Sequence, residues 1–222
     1  MSRATRGLGG VLLAGCLAAS AAEAQPDSRS AAGGWGLGLS HGVSALSAGL
    51  EGEDGSGNRL TLAPYRPSVW RLAVSRGGDG LRVTLLVGYG TAGLAASGTA
   101  LDEDGKPADG PLLVERGVYG LWTAAAAISR RLIRLRGGPE LRPSLGLGIE
   151  SWSAVGEPAR VIAGGQAGLA MEVVLTRRFR ASLEGEVGLT PASPFKPEEQ
   201  PEGFRKRSTW RRTLAGTIAW RF

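Results

Sequence analysis

The residues able to do chemistry in this chain are few. His41 is the only histidine, so any serine–histidine nucleophilic chemistry must use it, and Ser40 stands beside it. Glu184 and Glu186 sit at i and i+2, on one face of an extended chain, where paired carboxylates could share acid–base work. Asp102, Glu103 and Asp104 could hold a cation weakly, but their spacing is not that of a calcium loop. The chain has no Walker sequence, dinucleotide fingerprint, or cysteine or histidine metal cluster, so neither cofactor nor metal is expected. Each candidate also has a structural reading: His41 as a polar residue high on a strand, Glu184 and Glu186 as ion-pair partners, and the acids as a loop.

The elements that carry these residues favour the structural readings. Arg71, Arg82, Glu150, Glu172, Arg180, Glu184, Glu186 and Arg221 each oppose an apolar face in an alternating segment. Alternation of period two is the signature of a half-buried strand. Here it leaves charges of both signs on one side and aliphatics on the other. In a soluble barrel the charges would face water and the apolar face would point in. In a membrane barrel the charges must face the lumen, because Arg or Lys facing lipid at mid-depth costs roughly 2–4 kcal/mol. The second arrangement predicts a lumen ion-pair network built from these eight residues.

The alternation delimits eight strands. The first starts at Trp35, Leu37 and Leu39 and extends to about residue 50, and an acid- and glycine-rich loop spans 51–58. Residues 59–63 alternate until Pro64 and Pro67 interrupt them, and the second strand is cleanest over 68–76. A Gly-Gly-Asp-Gly turn at 77–80 leads into the third strand, Leu81 to Tyr89. A long loop is expected over 91–113, the fourth strand over 116–129 despite its alanine run, and a basic turn over 130–139. The fifth strand covers 141–152, a loop 153–160 and the sixth strand 161–175. A short turn at 176–178 precedes the seventh strand, 179–190. Residues 191–209, with Pro191, Pro194, Pro197 and Pro201 among many charges, are expected to form an exposed loop. Phe195 and Phe204 in it are explained by neither strand parity nor a membrane girdle, which makes them candidates for partner contact. The eighth strand covers 210–222.

Connections therefore alternate between short and long, as they do when turns lie on one side of a membrane and loops on the other. Trp35, Trp220 and Phe222 fall near one rim, and Tyr89, Trp122, Trp152 and Trp210 toward the other, as an aromatic girdle would. Composition agrees: 36 glycines, 42% hydrophobic residues, and no apolar run long enough to cross as a helix after the N-terminus. The net charge of +6 comes from clusters between apolar segments rather than a contiguous basic surface with stacking aromatics. Nucleic acid is therefore not an expected partner, and anionic lipid head groups are.

Arg3 and Arg6 precede an apolar stretch from Leu8 to Ala19 and a small-x-small site, Ala22-Glu23-Ala24, the pattern of a secretory signal peptide over 1–24. Leu13-Ala14-Gly15-Cys16 also fits a lipoprotein signal, with lipidation at Cys16, the only cysteine, as the alternative. Residues 25–32 read as a periplasmic lead-in and 33–222 as one barrel domain.

The last ten residues place Leu214, Gly216, Ile218, Trp220 and Phe222 on one face and Thr213, Ala215, Thr217, Ala219 and Arg221 on the other. This stretch resembles the closing strand of bacterial outer-membrane β-barrels, with its glycine one residue before the position that family usually uses. With the strand pattern, the chain is similar to small barrels of the OmpA transmembrane-domain and OmpX type. The resemblance implies an all-β, eight-stranded antiparallel up-and-down transmembrane barrel, integral to the outer membrane, non-enzymatic and active through its surface loops. It implies lipid and lipopolysaccharide as surroundings, and the barrel-assembly machinery as a partner through the C-terminal strand. It names no surface ligand. A narrow passive pore, and a lipid A-modifying enzyme using His41, remain as alternatives.

Overall fold

The computed structural model describes residues 33–47, 49–53, 59–78, 80–98, 113–134, 138–154, 157–195, 203–206 and 208–222. The signal segment, the lead-in, Cys16, the tip of the 51–58 loop and the Asp102–Asp104 cluster lie outside them.

Eight long strands close into a barrel: β1 (Gly34–Leu46), β3 (Arg59–Gly77), β4 (Leu81–Gly98), β5 (Leu113–Arg130), β7 (Glu140–Ala154), β8 (Arg160–Val174), β9 (Phe179–Thr190) and β11 (Thr209–Arg221). Three short ones, β2 (Leu50–Glu53), β6 (Ile133–Arg134) and β10 (Arg205–Lys206), are added at the ends. Every pairing is antiparallel between neighbours in the ring, and β1 closes it by pairing with both β3 and β11. Followed one way round from Ser40, the register reaches Ile162 on β8. Followed the other way it reaches Glu172, ten residues farther along the same strand. That stagger tilts the strands by roughly 40° and leaves an interior that side chains just fill.

The molecule is apolar on the outside. Leu72, Leu85, Leu147, Val161, Leu214 and Ile218 are all exposed, Leu147 by 73%. Inward positions of the same strands carry Ser40, Ser44, Arg71, Glu172, Glu186, Arg211 and Thr213, all buried. A continuous apolar band of this kind is far larger than the patches monomeric soluble proteins expose. In lipid it carries no such cost, and closure leaves no strand edge with unpaired amides. Among the described residues no helix is long and apolar enough to cross a membrane.

Several expected boundaries shift. β1 ends at Leu46, and Leu50–Glu53, placed mostly in a loop, form β2 against β3. β3 runs unbroken from Arg59 to Gly77 through both prolines. It does so because the ladder slips between Tyr65 and Ser68, a bulge that removes the demand for a paired amide there. β4 continues to Gly98 and β5 starts at Leu113, so that connection is shorter than 91–113. β7 and β8 likewise extend into 153–160, to Ala154 and from Arg160. In the basic turn, β6 pairs back on Glu140 and Leu141. Segment 191–209 also departs from the exposed-loop expectation, because Arg205–Lys206 pair with Leu50–Glu51 and Pro194 is buried.

Candidate functional site

The lumen holds the chain's charged chemistry, in tiers set by how far each inward residue stands from the turn end, where Gly34, Gly77 and Phe222 lie. Nearest that end, Arg82 forks onto Glu172 with Nη1 and Nη2 donating at 2.7 and 3.2 Å. Arg180 donates to the same carboxylate. Arg142 sits 3.7 Å from Glu140 and 3.8 Å from Glu172, and Arg180 lies 3.8 Å from Glu140. From the rim, Arg131 and Arg134 approach Glu140 at 3.8 and 3.5 Å. Glu140, Arg142 and Glu172 are all buried.

Higher up, Arg211 donates to Glu150, to Glu186 at 2.7 Å and to Gln166 at 3.3 Å. Arg71 donates to Glu186 at 3.4 Å from the other side. Glu184 accepts from Ser144 at 3.4 Å. The lower tier thus sets Arg82, Arg142 and Arg180 against Glu140 and Glu172. The upper sets Arg71 and Arg211 against Glu150 and Glu186, while Glu184, expected among the ion pairs, has no arginine within ion-pair distance among the described residues and is held by Ser144 instead. Desolvating each ion alone would cost several kcal/mol, and the shared carboxylates offset that cost. Glycines make room for the long side chains: a Cβ at Gly88 would lie 2.8 Å from Arg71 Cγ, and one at Gly168 2.9 Å from Glu184 Oε1.

Above the charges is an apolar plug of Val69, Ala92, Leu121, Trp152 and Ile162, all buried. Trp152 is a correction to the aromatic girdle. It shares the parity of Glu150, points inward, is 2% exposed, and donates its indole N–H to Glu150 at 3.0 Å. Beyond the plug, Leu50, Phe195 and Phe204 form a second buried cluster over Leu60, Leu62, Leu94 and Tyr119. Phe195 (3% exposed) and Phe204 (7%) are therefore not available to a partner; they fasten the described parts of this segment, 191–195 and 203–206, onto the barrel's loop end. The remaining girdle residues face outward: Trp35, Trp220 and Phe222 at the turn end, and Tyr89, Trp122 and Trp210 toward the loops, with Trp70 beside them. Arg221 lies at the turn end and donates to the Gly77 carbonyl at 3.1 Å.

Strand alternation separates Ser40 from His41. Ser40 is buried in the lumen, while His41 faces outward, 2.8 Å from Ser68 Oγ across the β1–β3 pair. Trp70 tilts against the imidazole at 4.6 Å.

No protein-family model matches the sequence, and no curated protein matches it. Among solved structures, the chain superposes on Neisserial surface protein A with a TM-score of 0.56, covering 85% of this chain and 97% of that one at 7% identity. The fold is that of a small outer-membrane β-barrel. Looser likenesses extend to Ail of Yersinia pestis, solved with the heparin analogue sucrose octasulfate (TM-score 0.45, 11% identity, covering 86% of this chain and 99% of that one). They extend also to OprG of Pseudomonas aeruginosa (TM-score 0.45, 10% identity, 87% and 97%).

Within this outer-membrane barrel fold, three charged residues of the lumen escaped the sequence reading: Glu140, Arg142 and Arg211. Each had a legible signal. Glu140 and Arg142 share the parity of Gly146, Gly148 and Glu150, and Arg211 that of Thr213 and Arg221. Glu140 lies one residue before the expected fifth strand, and Arg142 and Arg211 are each the second residue of an expected strand, ahead of the aliphatic alternation that makes the parity plain.

Proposed function

We propose that the protein is a sealed, non-enzymatic integral barrel of the outer membrane, with its turn end toward the periplasm and its loop end acting in structural or surface-interaction roles. The observation that carries this reading is the stacked filling of the lumen by two ion-pair tiers, the Trp152 plug and the Phe195–Phe204 cap. A conducting path would have to displace buried ion pairs and then the apolar plug around Trp152. The reading supports lipid on the outer face and the assembly machinery at the Trp220–Phe222 strand as partners. It disfavours the pore. Purified monomer in planar bilayers should give no steady conductance; large stable channels from monomer would refute the seal.

A further inference from the structure

We propose that the β3 bulge beside His41 binds the phosphate-bearing head group of a lipid in the leaflet at the loop end, a reading that rests on the membrane insertion proposed above. Arg66 sits inside the bulge with φ of 42°, a left-handed conformation that costs a non-glycine residue. It is exposed, stacks its guanidinium 5.1 Å over the Tyr65 ring, and makes no ion pair among the described residues. The backbone therefore holds an unneutralised cation outward at a strained position, where glycine would sit without strain. Across the ladder Gly90 admits the bulge, since a Cβ there would run into the Ser68 carbonyl.

Ser68, two residues past Arg66, shares the outward parity of Trp70 and lies diagonally across the regular β1–β3 ladder from His41. The pair uses one nitrogen of the imidazole and one side of the hydroxyl, leaving the other imidazole nitrogen and a hydroxyl lone pair without a side-chain partner among the described residues. Polar capacity on a lipid-facing wall is costly unless the lipid itself supplies partners. Trp70 fixes the imidazole on one flank. On the other lies Gly216, His41's partner on β11, where a Cβ would meet nothing within 4 Å. That opening leaves an acyl chain room to lie beside the ring. Depth agrees. Trp70, Tyr89 and Trp122 form one cross-strand aromatic row, the residue types of a membrane interface, and Arg66 stands four residues farther toward the loops. Arg66 takes the phosphate, and the Ser68–His41 pair takes a head-group or ester oxygen below it.

The test uses the full folded chain in a non-ionic detergent, read by native mass spectrometry against bisphosphorylated lipid A, phosphatidylglycerol and phosphatidylcholine. Both anionic lipids should be retained about tenfold more than phosphatidylcholine, with lipid A ahead, as loss of one charge-assisted contact implies. Arg66→Gly relieves the strained φ and should fold at least as well, yet lower anionic-lipid retention about tenfold. Arg178→Gln, at the opposite rim, should leave retention unchanged. Unchanged retention in Arg66→Gly, or an equal loss in Arg178→Gln, overturns the site. Preference for phosphatidylglycerol over lipid A overturns its assignment to the loop-end leaflet. Fatty acid released in a Ser68-dependent manner would replace binding with hydrolysis. A chain that shows no heat-modifiable folded form, by contrast, strikes the membrane reading and not this site.

Discussion

Removing Arg211 should be the most damaging single change in the lumen. Its guanidinium serves Glu150, Glu186 and Gln166 together. Replacement by Met keeps the apolar stem but leaves Glu150 without its arginine, while Glu186 keeps Arg71 at 3.4 Å. Breaking a buried pair by removing one partner costs about 3–5 kcal/mol, because the surviving charge stays buried. Glu150 still accepts from the Trp152 indole at 3.0 Å, so the lower figure, about 3 kcal/mol, is expected here. With a urea slope of about 2 kcal/mol/M, the midpoint should fall by roughly 1.5 M. The decisive comparison is Arg211→Met with Arg211→Met/Glu150→Gln, each unfolded from lipid vesicles in urea and followed by tryptophan fluorescence. Neutralising Glu150 should restore more than half of the loss, since the cost lies in the orphaned charge rather than in the missing contact. A single variant within about 0.5 kcal/mol of the parent, the range of an ordinary surface change, would show that the upper tier is wet. A double variant no better than the single would show that the loss is one of packing.

Other outcomes follow from the same geometry. Leu147→Arg places a cation at the most exposed apolar position and should cost about 2–4 kcal/mol in vesicles, whereas a soluble barrel would tolerate it; equal stability would invert the faces. Gly52→Ala would put a Cβ 2.6 Å from the Phe204 ring, so the cap should lift and trypsin should cut at Arg205 while the barrel stays heat-modifiable; unchanged protease resistance would mean the cap is not held by that contact. Deleting Phe222, which is exposed at the turn end, should remove only about 1.5–3 kcal/mol of lipid burial. Its outer-membrane yield in cells should fall while refolding in detergent persists, and equal losses in both would reduce its role to stability.

Strand alternation made most of the barrel legible in advance. A period of two is a local property, so the inward parity of Arg71, Arg82, Glu172 and Glu186 could be read from each segment alone. β9, Phe179–Thr190, has the extent its alternation gave it. Trp152 was also legible and misread, because an aromatic near a strand end suggested a girdle although its parity matched Glu150. The ends of strands were less legible. A strand continues through Pro64 and Pro67, or out to Gly98, only where a neighbour supplies a bulge or a ladder, and that neighbour is distant in sequence.

What the sequence by itself determined is which face of each strand carries charge and which carries grease. Only the tertiary structure decided partners. Ring closure with a ten-residue stagger brings Arg82 of β4 to Glu172 of β8, and Arg211 of β11 to Glu150 of β7. No local pattern encodes that meeting, because it depends on how far the register slips around the whole barrel. The same holds for Phe195 and Phe204. In a proline-rich, charged segment they read as exposed, and they are buried because β2 and β10 pair over the mouth and cover them. His41 shows both halves: alternation turned it away from Ser40, and the register of β1 on β3 gave it Ser68.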